Sequence, residues 1–216
     1  MPSNIDSTSE EFIKNQQKIY KSAYVTIGLI IINVVVFIIS SMFVPSWYYD
    51  GALYTKGVVE EGQFYRVLTA IFLHAGTGHL FNNMIMLGIV GAIIENYIGH
   101  GLFFFLYFVS GIFGNLLSMA YETKNELNWI SVGASGAVMG LVGFLMVWIV
   151  INRRELVKDR SMLIRLLLLF LFVIEACFFQ SGANTVAHLG GFITGFVIGV
   201  INIIIFNNKK DMEGIA

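Results

Sequence analysis

Four polar side chains stand in runs that are otherwise apolar, and their types are those that acyl transfer uses: Ser135, His188, His79 and Asn83. A serine hydroxyl is a weak nucleophile near neutral pH until a base takes its proton. A histidine can take that proton and return it to a leaving amine. His79 and Asn83 are four residues apart, which on a helix puts them on one face. Both can donate hydrogen bonds to a developing oxyanion. The backbone N–H of Ser135, at the mouth of the run GASGAVMGLVGFLMVWIVI, is a third donor at a helix N-terminus, where the dipole also favours negative charge. No acid stands obviously behind His188, so the expectation is a Ser–His dyad with helix packing orienting the imidazole. Each residue alone has an ordinary reading, as a packing serine or a histidine bonded between helices. Ionisable and polar groups in such runs are costly, however, and Asn33, Asn82, Glu95 and Glu175 complete a short set.

The elements that must position these groups are membrane helices. The chain has 216 residues, 56% hydrophobic and 12% charged, with a mean hydropathy of +0.76; a soluble domain usually carries about 25% charged residues. Apolar segments lie at 23–43, 79–98, 102–120, 134–151, 162–179 and 185–206. Each approaches the ~20 residues that cross a ~30 Å hydrocarbon core, and continuous apolar runs contradict the alternation of a membrane barrel. The fold class expected is an all-α bundle of six transmembrane helices. With six spans, one side holds Lys14, Lys18, Lys21, Arg153, Arg154, Lys158, Arg160, Arg165, Lys209 and Lys210, against Lys56, Arg66 and Lys124 on the other. Positive charge favours the cytoplasm, so both termini are expected there. Ser135, His188, His79 and Asn83 then come to one depth on the outer side, and that coincidence weighs more than any one of them.

The expected organisation is a polar cytoplasmic N-terminal tail (1–22), a membrane domain (23–206) and a short C-terminal tail (207–216). The N-terminal stretch is too acidic for a transit peptide, and the first apolar segment is too long and lacks a small-residue cleavage site, so it reads as a retained helix. The connection 44–78 is long and aromatic, with Trp47, Tyr48, Tyr49, Phe64 and Tyr65. It reads as a semi-helical loop lying in the outer interface.

Glycines indicate which helices meet. Gly133, Gly136, Gly140 and Gly143 stand in the fourth segment, and Gly191, Gly195 and Gly199 in the sixth at four-residue spacing. Small-xxx-small faces let backbones approach closely. Packing the fourth segment on the sixth would bring His188 to Ser135, with Gly136 and Gly140 making the approach and Gly133 leaving room for a substrate carbonyl.

Other chemistries fit poorly. The sequence has no HExxH motif for zinc hydrolysis, and no Asp lies inside any of the six segments. The single cysteine, Cys177, allows no disulfide framework. A net charge of −1 gives no reason to expect nucleic acid. A small transporter or channel would predict inverted repeats or broken helices in matching halves, and neither is visible.

These residues resemble those of the rhomboid family of intramembrane serine proteases, over about 23–206. Gly133-Ala134-Ser135-Gly136 is similar to the family's GxSG, with Ser135 as nucleophile. Ala187-His188 through Gly191 and Gly195 is similar to its AHxxGxxxG, with His188 as base. His74 through His79 to Asn83 is similar to its HxxxxHxxxN, in which His79 and Asn83 form the oxyanion site. The resemblance also implies that Arg66 and His74 hold the first loop in shape and that Glu95 ties the inner half of the bundle together. Met139 departs from the pattern, since an aromatic ring commonly stacks on the histidine from that position; a thioether makes a softer contact. Glu175 is outside the pattern and reads as an interior-facing acid.

The function implied is hydrolysis of peptide bonds in or beside transmembrane segments of other membrane proteins, with no cofactor or metal. The partners would be transmembrane substrates and the lipid bilayer, and the location a bacterial plasma membrane. The alternative is a catalytically inactive relative that binds membrane proteins without cutting them; such relatives usually lack the serine or the histidine.

Overall fold

The computed structural model describes residues 4–156, 160–175 and 182–208. Lys158, Cys177, Lys209 and Lys210 lie outside the described residues. The helices are α1 (Asn4–Ser22), α2 (Tyr24–Phe43), the short α3 (Ser46–Gly51), α4 (Thr55–Val59) and α5 (Arg66–Thr69), then α6 (Thr77–Ile98), α7 (His100–Lys124), α8 (Ser135–Leu156), α9 (Arg160–Ile174) and α10 (Thr185–Ile205). Among the described residues, α2, α6, α7, α8 and α10 are long and apolar enough to cross a membrane. The described part of the fifth apolar segment, α9, has 15 residues and falls short of that length.

Helix α8 is central and α2 peripheral: 61% of the spanning window of α8 is buried, against 22% for α2. The core is aromatic and aliphatic, with Phe103, Leu106 and Tyr107 of α7 closed against Leu141 and Phe144 of α8 and Ile94 and Tyr97 of α6. The outward faces carry Phe104, Phe105, Phe113, Leu167, Leu168, Ile193 and Val197, all exposed. In water so much apolar surface would drive aggregation; in lipid it is the solvated face.

The sixth apolar segment, α10, is gripped from two sides. On α8, a Cβ at Gly191 would land on the Gly136 carbonyl, and one at Gly195 on the Gly140 carbonyl. On α7, a Cβ at Gly114 would come 2.6 Å from the Ala187 carbonyl oxygen, and one at Gly190 2.9 Å from the Gly114 Cα. The glycine-lined contact expected between the fourth and sixth segments is therefore present, with two corrections. The missing side chain of Gly140 makes room chiefly for Ser110 of α7, with the Gly191 carbonyl oxygen of α10 second at 3.3 Å, and a Cβ at Gly136 would find ordinary van der Waals space, 3.6 Å from the Ala187 oxygen. What Gly136 and Gly140 offer α10 is their carbonyl edge.

The polar N-terminal stretch is helical. α1 turns Ile19 and, just beyond it, Ala23 onto Ala92 of α6, at the end of the bundle opposite His188. At that end Glu95 is fully buried. Its two oxygens accept from the Val25 and Thr26 N–H groups (2.9 and 2.8 Å), from the Thr26 hydroxyl (2.7 Å) and from His100 Nδ1 (2.5 Å). Ala23, the residue preceding α2, has no side chain able to cap it; Glu95 supplies the acceptor from another helix, where the dipole favours a carboxylate. Glu95 thus links α6 to the first turn of α2 and to His100 of α7.

Candidate active site

The connection between α2 and α6 is the semi-helical element that its aromatics suggested, and Arg66 organises it. The buried guanidinium donates from Nη1 to the Tyr49 and Ala52 carbonyls (2.7 and 2.9 Å) and from Nε to Gln63 Oε1 (2.5 Å). Thr69 donates to the Gly51 carbonyl at 2.7 Å. A two-residue ribbon then binds this connection to the stretch before Ser135: strand β1 (Leu53–Tyr54) pairs antiparallel with β2 (Ile130–Ser131), Leu53 opposite Ser131. The Gly133 N–H donates to the Ala70 carbonyl at 2.9 Å. Ser135 is therefore delivered to the top of α8 by a backbone held at two points.

Ser135 Oγ lies 2.8 Å from His188 Nε2. That is hydrogen-bond distance for a hydroxyl and an imidazole. The buried His188 stands one turn into α10, and its N–H bonds the Asn184 carbonyl at 3.0 Å. Ser135 opens α8, so its own N–H is among the donors of the first turn that have no partner within the helix.

His79 and Asn83 share one face of α6, and both line the same cavity as Ser135 and His188. Asn83 Nδ2 donates one hydrogen to the His79 carbonyl at 3.0 Å; an amide nitrogen carries two, which leaves the second for the cavity. The cavity measures about 210 Å³ and is also lined by Tyr48, Asn82, Ser131, Met139 and Val173. All four residues singled out for acyl-transfer chemistry are thus brought together. A hydroxyl on an imidazole, beside three N–H donors, is an arrangement able to attack an acyl carbon and hold the resulting oxyanion.

Gly133 differs from its expectation. Its φ of +133° is one that residues with side chains rarely adopt, and a Cβ there would sit 2.8 Å from His79 Cε1 and Nε2. The space it leaves is filled by the His79 ring, not reserved for a substrate carbonyl. His74 meets the same ring edge to face, with the centroids 5.2 Å apart. It is almost wholly buried, and burial, reinforced by the neighbouring His79, lowers its pKa to about 3. His74 therefore packs on a candidate oxyanion donor as well as within the loop. Glu175 is exposed, which corrects the expectation of an interior-facing acid; a side chain at the end of a peripheral helix can reach the headgroup level.

Reading the sequence missed a second polar cluster beside the site: Asn184 before α10, Ser131 in β2, and Ser118 and Glu122 in α7. Asn184 Oδ1 accepts the Ala187 N–H at 3.0 Å, the standard N-cap bond, and its Nδ2 donates to Ser118 Oγ (2.6 Å) and Ser131 Oγ (2.8 Å). An asparagine four residues before the histidine was the available signal.

Comparison with known proteins gives one consistent answer. The family model for the Rhomboid domain matches residues 61–204. The chain is 35% identical over 149 residues to the protein YdcA of Bacillus subtilis, covering 68% of this chain and 71% of that one. It is 35% identical over 151 residues to RHOMBOID-like protein 5 of Arabidopsis thaliana, covering 70% of this chain and 48% of that one. Rhomboid protease GluP of Bacillus subtilis is 31% identical over 141 residues, 65% of this chain and 26% of its own. The chain thus spans about half the length, or less, of several relatives it matches.

Proposed function

The chain belongs to the rhomboid family, and from that premise we propose that this integral, multi-pass membrane protein is a serine endopeptidase that hydrolyses peptide bonds in or next to transmembrane segments. The observation that carries the reading is the 2.8 Å contact of Ser135 Oγ with His188 Nε2, inside a cavity that His79 and Asn83 also line.

Ser135 Oγ attacks the scissile carbonyl carbon while His188 Nε2 takes its proton. The carbonyl oxygen becomes the oxyanion, which the Ser135 N–H, His79 and Asn83 stabilise by donating to it. His188 returns the proton to the leaving amine, giving an ester at Ser135. Water, deprotonated by His188, then attacks the ester and releases the acid and the free serine. The remaining matched residues hold this arrangement: Arg66 and His74 shape the loop above it, and Gly191 and Gly195 bring the helix of the base against Gly136 and Gly140.

An intact helix hides its carbonyls in its own i→i−4 hydrogen bonds. The substrate segment must therefore unwind locally and enter extended before Ser135 can attack. Six spans, the fifth being the apolar sequence segment 162–179, put both termini in the cytoplasm and the site on the outer side; the lysine and arginine distribution supports this. Bilayer and transmembrane proteins are the partners, nucleic acid is not, and a bacterial plasma membrane is the location.

The test is covalent labelling. A fluorophosphonate probe is expected to label the detergent-solubilised protein, with the label lost in both Ser135→Ala and His188→Ala while each variant still accumulates in the membrane. Labelling that survives Ser135→Ala puts the nucleophile elsewhere; no labelling of the parent protein favours the non-cutting binder.

A further inference from the structure

Glu122 is a buried acid at the site end of the bundle that the proposed reaction does not use. Among the described residues, each hydrogen bond it makes is accepted from a donor. Ser118 Oγ donates to Oε1 at 2.9 Å, Thr55 Oγ1 donates to Oε2 at 2.8 Å, and the Trp129 N–H points at Oε2 from 3.4 Å. Because the Ser118 proton is directed to Glu122, its lone pairs are left to accept, and Asn184 Nδ2 is the donor they receive at 2.6 Å. The amide of Asn184 is thereby locked one way round. Its nitrogen faces Ser118 and Ser131, and its oxygen is left for the Ala187 N–H, the residue before His188.

We infer that Glu122 is a positioning residue for His188. As the acceptor that ends a one-way hydrogen-bond chain from Asn184 through Ser118, it sets the amide that both caps the helix carrying His188 and holds Ser131 of β2 at the cavity. The inference rests on the reading of His188 as the base. It assigns Glu122 no contact with substrate: the chain works by direction, since one hydroxyl proton can serve only one acceptor. A reversed amide would present N–H to N–H at Ala187 and lose the cap, and with it the register of the imidazole against Ser135. Ring placement is felt strongly in rate, because small displacements of a catalytic group are costly.

Directionality gives a test that packing alone would not pass. The full-length protein in detergent is assayed on a model transmembrane substrate for kcat and KM, in parent form and as Glu122→Gln, Asn184→Asp and the double variant. Glu122→Gln puts a donor where the chain needs an acceptor. Asn184→Asp puts two carboxylates on one Ser118 proton. Each alone is expected to lower kcat by about tenfold with KM within about twofold. Together they let the chain run backwards: the amide at 122 donates to Ser118, whose proton turns to the carboxylate at 184, and the cap to Ala187 survives. The double variant is therefore expected to recover to within about threefold of the parent. Parent rates in either single variant, or a double variant no faster than the slower single one, overturn the inference. Should Glu122→Gln fail to accumulate, Ser118→Ala takes its place: it cuts the chain, so adding Asn184→Asp should cost no more, and multiplying losses overturn the inference. Ser135-dependent probe labelling of the parent, run in parallel, tests the protease reading separately from these ratios.

Discussion

Glu95 and Glu122 are two acids of the same type, each 1% exposed, at opposite ends of one bundle, and they do different work. Glu95 meets two backbone N–H groups of the first turn of α2, a threonine hydroxyl and His100. Backbone donors have one direction, so the far end is closed by fixed partners. Glu122 meets mainly hydroxyls, which can rotate, and one of them passes its orientation on to Asn184. A buried carboxylate facing backbone holds a fold together; one facing rotatable hydroxyls can also direct a site. The two ends should therefore fail differently, one in stability and the other in rate.

The largest expected effect is at the site end. Asn83→Ala removes an oxyanion donor and is expected to lower kcat by ~10²–10³, with little change in unfolding, because the bond lost reaches only the His79 carbonyl one turn away. Unchanged kcat in turnover assays would reduce Asn83 to packing and remove a main contrast between the ends. Next comes the reverse case: Glu95→Ala leaves two first-turn donors of α2 buried without their acceptor and is expected to destabilise the protein by roughly 2–4 kcal/mol, read as a lowered unfolding midpoint in detergent. The rate per folded molecule should stay near that of the parent. A variant that kept its stability but lost its rate would erase the distinction.

Much of the site end could be read from sequence because polar residues are rare in apolar runs and stand out. Ser135, His79, Asn83 and His188 were visible for that reason, and the spacing of Gly191 and Gly195 pointed to the α8 contact. The share of α7 was not visible. Ser110, Gly114 and Ser118 are small residues at helical spacing, and spacing alone does not say which neighbour they face. Glu122 stands in the last turn of α7, where charge reads as the start of a loop. Gly133 requires a φ and a ring above it, both properties of the assembled structure. The helicity of α1 was hidden by its polarity, since a helix with a narrow apolar contact carries little of the signal that marks a span.

His74 sharpens the comparison, because it lies at the site end and yet should be felt in stability. It is buried and neutral, with a pKa near 3 when folded against an ordinary value of about 6.5. Between those values the unfolded chain binds a proton that the folded chain excludes, so stability rises with pH through that window and falls as the solution is acidified from about 6.5 toward 3. Replacing the imidazole by an aromatic ring that cannot titrate, His74→Phe, is expected to flatten that part of the profile of unfolding midpoint against pH while keeping an edge against His79. The variant should be close to the parent near neutral pH and more resistant below pH 5. If the two profiles run parallel, His74 is not the group whose protonation destabilises the fold in acid.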